Sequence, residues 1–368
     1  MRIRTPVTVA LTEMRQGRLL LLCMTALLAG CNASFSPRYY WQAASGQLEL
    51  WRLARPVGQI SSDPATPQTL RERLALAVEI RDWASRDMAL PDNGSYRRYA
   101  DLGRPYVVWN VFAADPLSVR PAQSCFPIAG CVSYRGFFGE ADAQAYAEAR
   151  RREGLDVHVG GVPAYSTLGW FDDPLLNTFV HYPEVELVRL IVHELSHQIV
   201  YVRDDTEFNE SFASAVEEEG IRRWLMRPGK QALRAGFERN QRIRADFAAL
   251  VLKYRDALDE VYRSSSSDAD KRQEKARLIG ALGDEYARVR EHDWGGFRGY
   301  DRWFAQDINN ATLASIGLYN AARPAFTRLI DASPDLPAVW ATLRELAALP
   351  RDERRARLDL PPAKDPIR

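Results

Sequence analysis

The stretch Arg189–Tyr201, RLIVHELSHQIVY, constrains this chain more than any other. Ile191, Val192, Leu195, Ile199 and Val200 make it a helix that has to be buried, yet it carries two of the chain's five histidines and a glutamate. Residues i and i+4 of a helix share a face, so His193 and His197 point two imidazoles at one place. Glu194 lies about 100° further around the same turn. Such a helix belongs either to a metal centre or to a core whose histidines are satisfied by hydrogen bonds, and the helix that follows decides between the two.

That second helix is EFNESFASAVEEEGIRRWLM, entered through the polar turn Arg203-Asp204-Asp205 and ended at Pro228-Gly229. Helices joined by so short a turn pack antiparallel, and the 12 residues between His197 and Glu210 let Glu210 face the histidine pair. A catalytic Zn²⁺ takes three protein ligands and leaves one position open. His193, His197 and Glu210 are therefore the expected ligands, and Glu194 the expected general base for an attacking water. Ser214 and Glu217, at i+4 and i+7 from Glu210, are candidates to orient an imidazole. The run Glu217–Glu219 taken by itself reads as a solvated acidic face.

From Pro183 to about Glu219 the chain resembles the gluzincin metallopeptidases, such as thermolysin and aminopeptidase N, in its HELSHQ followed by NES. The gap between the two motifs is shorter here than theirs. The longer run YYWQAASGQLEL, GVPAYSTLGWFDDPLL, HELSHQ and NESFASAVEEEG resembles a bacterial lipoprotein family labelled "putative aminopeptidase", over nearly the whole mature chain. The resemblance implies a zinc peptidase acting on a peptide or protein substrate. It further implies that VHVGGVPAYSTLGWF, with Gly160, Gly161 and Gly169, is an extended wall against which substrate pairs. An oxyanion donor is then expected at Tyr165 on that wall or at Tyr319 downstream. The glutamate that binds the substrate amine in aminopeptidase N has no counterpart in this stretch, and Asp172-Asp173-Pro174 reads as a turn. His158 and His181 read as structural, and His292 stays unassigned. Two other activities fit the same motif, an envelope endopeptidase and a non-catalytic binding or assembly lipoprotein with a structural zinc.

The first 18 residues are basic, and Leu19–Gly30 is an apolar run too short to span a bilayer. It ends in Leu28-Ala29-Gly30-Cys31, which resembles a lipobox, so residues 1–30 are expected to be a signal peptide and Cys31 a lipidated N-terminus. Asn32 follows, and the expected location is the cell envelope, at the outer membrane facing the periplasm, with the membrane reached only through lipid. Cys125 and Cys131, in SCFPIAGCVSY, are then expected to form a disulfide. Net charge is +1, of which residues 1–30 contribute +3, leaving the rest near −2. No general basic field for nucleic acid exists.

Apolar periodicity predicts helices over 36–55, 70–90, Glu140–Gly154, Pro183–Val202 and 206–227, two long ones over 230–292 joined at SSSSDADK, and Pro-broken helix to the end. PYVVWNVFAA and CVSYRGFF predict paired strands through the cysteine loop. The fold class is α+β, a small antiparallel or mixed sheet in the N-terminal half packed on a mostly helical, zincin-like C-terminal half. Residues 31–350 are expected to form one domain and 351–368 a frayed polar tail.

Overall fold

The computed structural model describes residues 37–126, 130–317, 322–333 and 335–360. Thirteen helices are present among them: α1 Pro37–Leu53, α2 Val57–Ser62, α3 Gln68–Met88, α4 Glu140–Arg152, α5 Glu184–Ser196, α6 Thr206–Leu225, α7 Ala232–Arg263, α8 Asp268–His292, α9 Asp301–Phe304, α10 Asn310–Gly317, α11 Arg323–Asp331, α12 Leu336–Ala348 and α13 Arg351–Arg357. Eight strands accompany them: β1 Arg55–Pro56, β2 Arg98–Ala100, β3 Val108–Ala114, β4 Ser124–Phe126, β5 Gly130–Val132, β6 Arg135–Phe137, β7 Asp156–Val162 and β8 Leu175–Leu176. The fold is α+β. No described helix is long and apolar enough to cross a membrane.

The strands form three small sheets, ordered β1-β2-β8, β6-β3-β7 and β4-β5. The second is antiparallel throughout, with Val111 of β3 opposite Arg135 of β6 and Val159 of β7. The β4-β5 hairpin sets Cys125 opposite Cys131, and their sulfur atoms are bonded. The extended pattern expected from Leu155 to Phe171 stops at Val162. Pro163 cannot donate to a ladder, and Leu168 and Gly169 adopt positive φ, so the remainder is a loop.

The main core is built around α5. Leu187, Val188, Ile191, Val192 and Leu195 are all fully buried, against Ile80 and Trp83 of α3, Phe212 and Trp224 of α6, Phe326 of α11 and Trp340 of α12. Trp83 and Trp224 meet edge to face with centroids 5.0 Å apart, and the Trp340 indole N–H donates to the Met88 carbonyl at 3.0 Å. A second apolar cluster fills the α7–α8 hairpin, where the Tyr300 ring of the following loop stacks on Phe247 at 3.8 Å. Ser267 caps α8 by accepting from Asp270 N–H, which gives the polar SSSSDADK connection its sharp end.

Two expectations need correction. The helix expected to run to Val202 ends at Ser196, although His197 keeps right-handed helical torsions. The last turn tightens to three-residue bonds from Gln198 N–H to Leu195 and from Ile199 N–H to Ser196, while the Ser196 hydroxyl donates to the His193 carbonyl at 2.6 Å. The segment expected to fray from residue 351 is helical through Arg357. Arg354 and Arg355 are buried there and pair with Asp205 and Glu207, which gives this polar helix a reason to stay ordered. Residues 361–368 lie outside the described residues, as do 1–36, including Cys31 and the expected signal peptide.

Candidate metal and catalytic site

The order of contacts shows that α5 and α6 run antiparallel. Glu184 accepts from the Trp224 indole at 2.7 Å, Arg189 meets Glu217, and His193 and His197 meet Glu210. Close approach of the two helices depends on Gly220, where a Cβ would come within 2.9 Å of the Val192 side chain. The connecting loop is fixed by Asn209, whose buried amide accepts from Val202 N–H and donates to the Val202 carbonyl, both at 2.8 Å. Asp205 caps α6 through Phe208 N–H. Glu210 is thereby held one turn inside α6, opposite the histidine pair.

His193 Nε2 lies 3.2 Å from His197 Nε2 and 3.4 Å from Glu210 Oε2, and His197 Nε2 lies 3.9 Å from Glu210 Oε1. Ligands about 2.0–2.1 Å from a tetrahedral ion lie about 3.3 Å apart. The separations within the histidine pair and from His193 to Glu210 are close to that, and the one from His197 to the other Glu210 oxygen is longer. The three residues could hold a metal ion, and no second such cluster occurs among the described residues. Burial works against charge on His193, yet hydrogen bonds donated by its ring to Glu210 and Glu217 outweigh it and hold its imidazolium well above the ordinary range. Despite burial, both carboxylates titrate below the usual range, Glu210 because of His193 and His197 and Glu217 because of His193 and Arg189. The acid pair thus stabilises positive charge at this point. Burial, with His193 beside it, pushes His197 down to about 4, so it presents a neutral ring.

Of the two candidates to orient an imidazole, the structure selects Glu217. Its Oε2 is 2.9 Å from His193 Nδ1, which fixes the tautomer that leaves Nε2 free to ligate. Its other oxygen accepts from Arg189 at 2.7 Å, and Arg189 donates in turn to Glu186 at 3.2 Å and Gln241 at 2.8 Å. Ser214 is buried but makes no such contact. The acidic run is therefore not a solvated face, since Glu217 is 13 % exposed and Glu219 6 %, the latter held by Arg222 and Arg223. His197 has no equivalent support, and its buried Nδ1 finds no partner among the described residues.

Glu194 is half-buried and accepts no hydrogen bond from the described residues. Burial, followed by the nearby carboxylates of Glu210, Asp173 and Glu217 acting against His193, raises it to about 7. Tyr134, in the turn between β5 and β6, was not among the sequence candidates. Burial, then Glu210, Tyr201, Glu194 and Tyr165, raise its phenol, which places it within electrostatic reach of both site carboxylates. The hairpin that delivers it is docked on the α5–α6 loop. Cys131 N–H donates to Asp204 at 2.6 Å, and a Cβ on Gly130 would strike the Asp204 carboxylate. Only a chain folded back from 73 residues upstream makes that contact, and no local pattern announces it.

Tyr165 is 38 % exposed, against Phe138 with ring centroids 5.3 Å apart, and burial with Asp173 raises its phenol. Tyr319 lies outside the described residues. Asp173 does more than turn the chain, because its buried carboxylate accepts from Thr167 N–H at 3.0 Å and its carbonyl from Tyr96 N–H at 2.6 Å. His158 is partly buried beside Phe112, with its pKa lowered by burial, while His181 and His292 are exposed; none joins the cluster.

Residues 38–358 match the family model described as "Putative aminopeptidase", and the chain belongs to that family. Membership supports a peptidase function. No curated protein and no solved structure matches the chain.

Proposed function

We propose that this protein is a zinc-dependent aminopeptidase in which His193 Nε2, His197 Nε2 and a Glu210 carboxylate oxygen hold the ion. The observation that carries the reading is the convergence of His193 Nε2, His197 Nε2 and the Glu210 carboxylate at 3.2–3.9 Å from one another, backed by the Glu217 contact to His193 Nδ1. Zinc bound there supplies a Lewis acid that polarises the scissile carbonyl and acidifies water. Glu194 receives the water's proton on its carboxylate and returns it to the leaving amine nitrogen. A carboxylate raised to about 7 is poised for transfer in both directions near neutral pH. The donor to an oxygen that becomes negative is Tyr134 or Tyr165, a reading supported by the electrostatic coupling of the Tyr134 phenol to Glu210, Glu194 and Tyr165.

Against a purely structural zinc stands Glu194 itself. A half-buried carboxylate without a hydrogen-bond donor costs stability and has no use in a structural site. We further infer that Cys31 carries lipid and that the protein works in the cell envelope, a reading supported by Leu28-Ala29-Gly30-Cys31 and by the Cys125–Cys131 disulfide. The test compares wild type with Glu194→Gln for bound zinc, for cleavage of aminoacyl amides and for cleavage of blocked internal peptides. Equal zinc, with amide cleavage only in wild type, is expected. Zinc in both and cleavage by neither would remove the enzyme reading, and cleavage of blocked peptides alone would make it an endopeptidase.

A further inference from the structure

Apolar surface is left uncovered where α1 meets the loop after β7. Leu48 and Trp51 of α1 are 61 % and 40 % exposed, and Trp170 and Phe171 of the loop are 70 % and 48 % exposed. The two segments are joined by an edge-to-face contact between Trp51 and Phe171, centroids 4.6 Å apart. Leu48 lies about 200° around the helix from the buried Leu50, so it faces away from the core.

The loop is built to present its aromatic tip. Thr167 N–H donates to the buried Asp173 carboxylate, Trp170 N–H donates to the Thr167 carbonyl at 3.0 Å, and the Thr167 hydroxyl donates to the Phe171 carbonyl, also at 3.0 Å. Leu168 and Gly169 take left-handed φ of 56° and 79° to close the bend. A pinned loop that holds two large aromatics in water marks a contact surface rather than slack chain.

Charge and chain placement identify what it contacts. Arg52 and Arg55 are exposed beside Trp51 and form no ion pair with described residues, whereas the nearby Arg104 is paired with Glu49. Asp172, at the loop's end, lies against Gly94. Trp and Phe flanked by unpaired arginines suit the headgroup region of an anionic bilayer. Cys31, the residue expected to carry lipid, is only six positions before the first residue of α1.

We propose that Leu48, Trp51, Trp170 and Phe171, with Arg52 and Arg55, form a surface that docks on an anionic phospholipid bilayer. A lipid tether restrains distance but not orientation; this face supplies the second contact that stable attachment requires. The loop also packs Gly169 beside Gln198, the residue after His197, so docking sets the metal cluster close to the bilayer surface. The proposal goes beyond the peptidase reading and stands without it.

The full chain, reconstituted on vesicles of phosphatidylethanolamine and phosphatidylglycerol, is probed with lipids brominated near the headgroup, which quench nearby tryptophan. Quenching is expected, and Trp51→Phe with Trp170→Phe should lower the quenched fraction by roughly half, since interfacial tryptophans dominate it. Arg52→Glu with Arg55→Glu, or vesicles of phosphatidylcholine alone, should lower it too. Circular dichroism and zinc content should not change in these surface variants. Quenching unaffected by the tryptophan pair overturns the proposal. So does burial of Trp170 without lipid, either by self-association in sedimentation or by an apolar peptide that shifts its emission when vesicles do not.

Discussion

Glu217→Gln is the most direct probe of how the site is held. Its carboxylate sits between His193 Nδ1 at 2.9 Å and Arg189 Nη1 at 2.7 Å, with both acid and arginine nearly buried at 13 % and 11 % exposure. Glutamine keeps the shape but offers one acceptor oxygen and one amino group. One of the two donors then faces an amino group, and one charge-assisted bond is lost. Such a bond is worth about 1.5–3 kcal/mol when buried, or roughly tenfold to a hundredfold in an equilibrium constant. The same range is typical for removing a group that orients a metal-ligating histidine, about 10–100-fold. Arg189 keeps Glu186 and Gln241, so the fold should survive.

The assay is competition for zinc against a fluorescent chelator, with kcat/KM measured at saturating zinc. The control is Glu218→Gln, since Glu218 pairs with Arg323 on the other side of α6 and is partly solvated. That change should alter zinc affinity by less than about twofold. Wild-type zinc affinity in Glu217→Gln would refute the argument that Glu217 sets the ring and its tautomer. Equal losses in both variants would refute it in another way, by making net charge rather than contact the cause.

Asp173, 3 % exposed, has its pKa raised to about 6, chiefly by burial. The folded state therefore binds more protons than the unfolded one between about pH 4 and 6, and stability falls as pH rises through that window, by about 3 kcal/mol in all. Asp173→Asn should flatten the pH dependence of Tm there; an unchanged slope would assign it to another group. Asn209→Ala leaves the Val202 N–H and carbonyl without their partner and should cost about 2–4 kcal/mol in denaturant unfolding, whereas a loss below about 1 kcal/mol would mean water replaces the amide. At Gly220, alanine gains about 0.5–1 kcal/mol of helix propensity but meets Val192 at 2.9 Å. Overpacking of about 1–3 kcal/mol should win, so Gly220→Ala is expected to lower both Tm and zinc affinity; a raised Tm would show that the helices separate freely.

What could be read from the sequence was local. The i, i+4 spacing of His193 and His197, the apolar residues around them and the short polar turn before Glu210 each act within one helix or one connection. Glu217 was also legible as a residue two turns along the Glu210 face, but choosing it over Ser214, one turn along, needed the position of His193 Nδ1. Arg189 lies four residues before His193 and could have been named as a third member of that row. Tyr134 could not, because its place depends on a hairpin docked on a loop 70 residues further on. The C-terminal helix was misread for a related reason. Arg354 and Arg355 look like solvent-facing charges until Asp205 and Glu207 are brought beside them.

These long-range contacts converge on one place, the loop between the two helices that carry His193, His197 and Glu210. Asp204 accepts from the cysteine hairpin at Cys131 N–H, Asp205 accepts from Arg354 of α13 at 2.7 Å, and Asn209 ties the loop to Val202 from within. The 12 residues between His197 and Glu210 would otherwise be free to vary the reach of α6, and a ligand displaced by 1 Å no longer meets a tetrahedral ion. Fixing that loop from the hairpin before it and the helix after it sets the register of Glu210 against the histidines. The hairpin contact carries a second consequence. Tyr134 follows three residues after Cys131, so the bond that clamps the loop also helps to hold the phenol within electrostatic reach of Glu194 and Glu210. The Asp204 contact thus bears on the position of both Glu210 and the phenol, and Asp204→Ala should disturb both together.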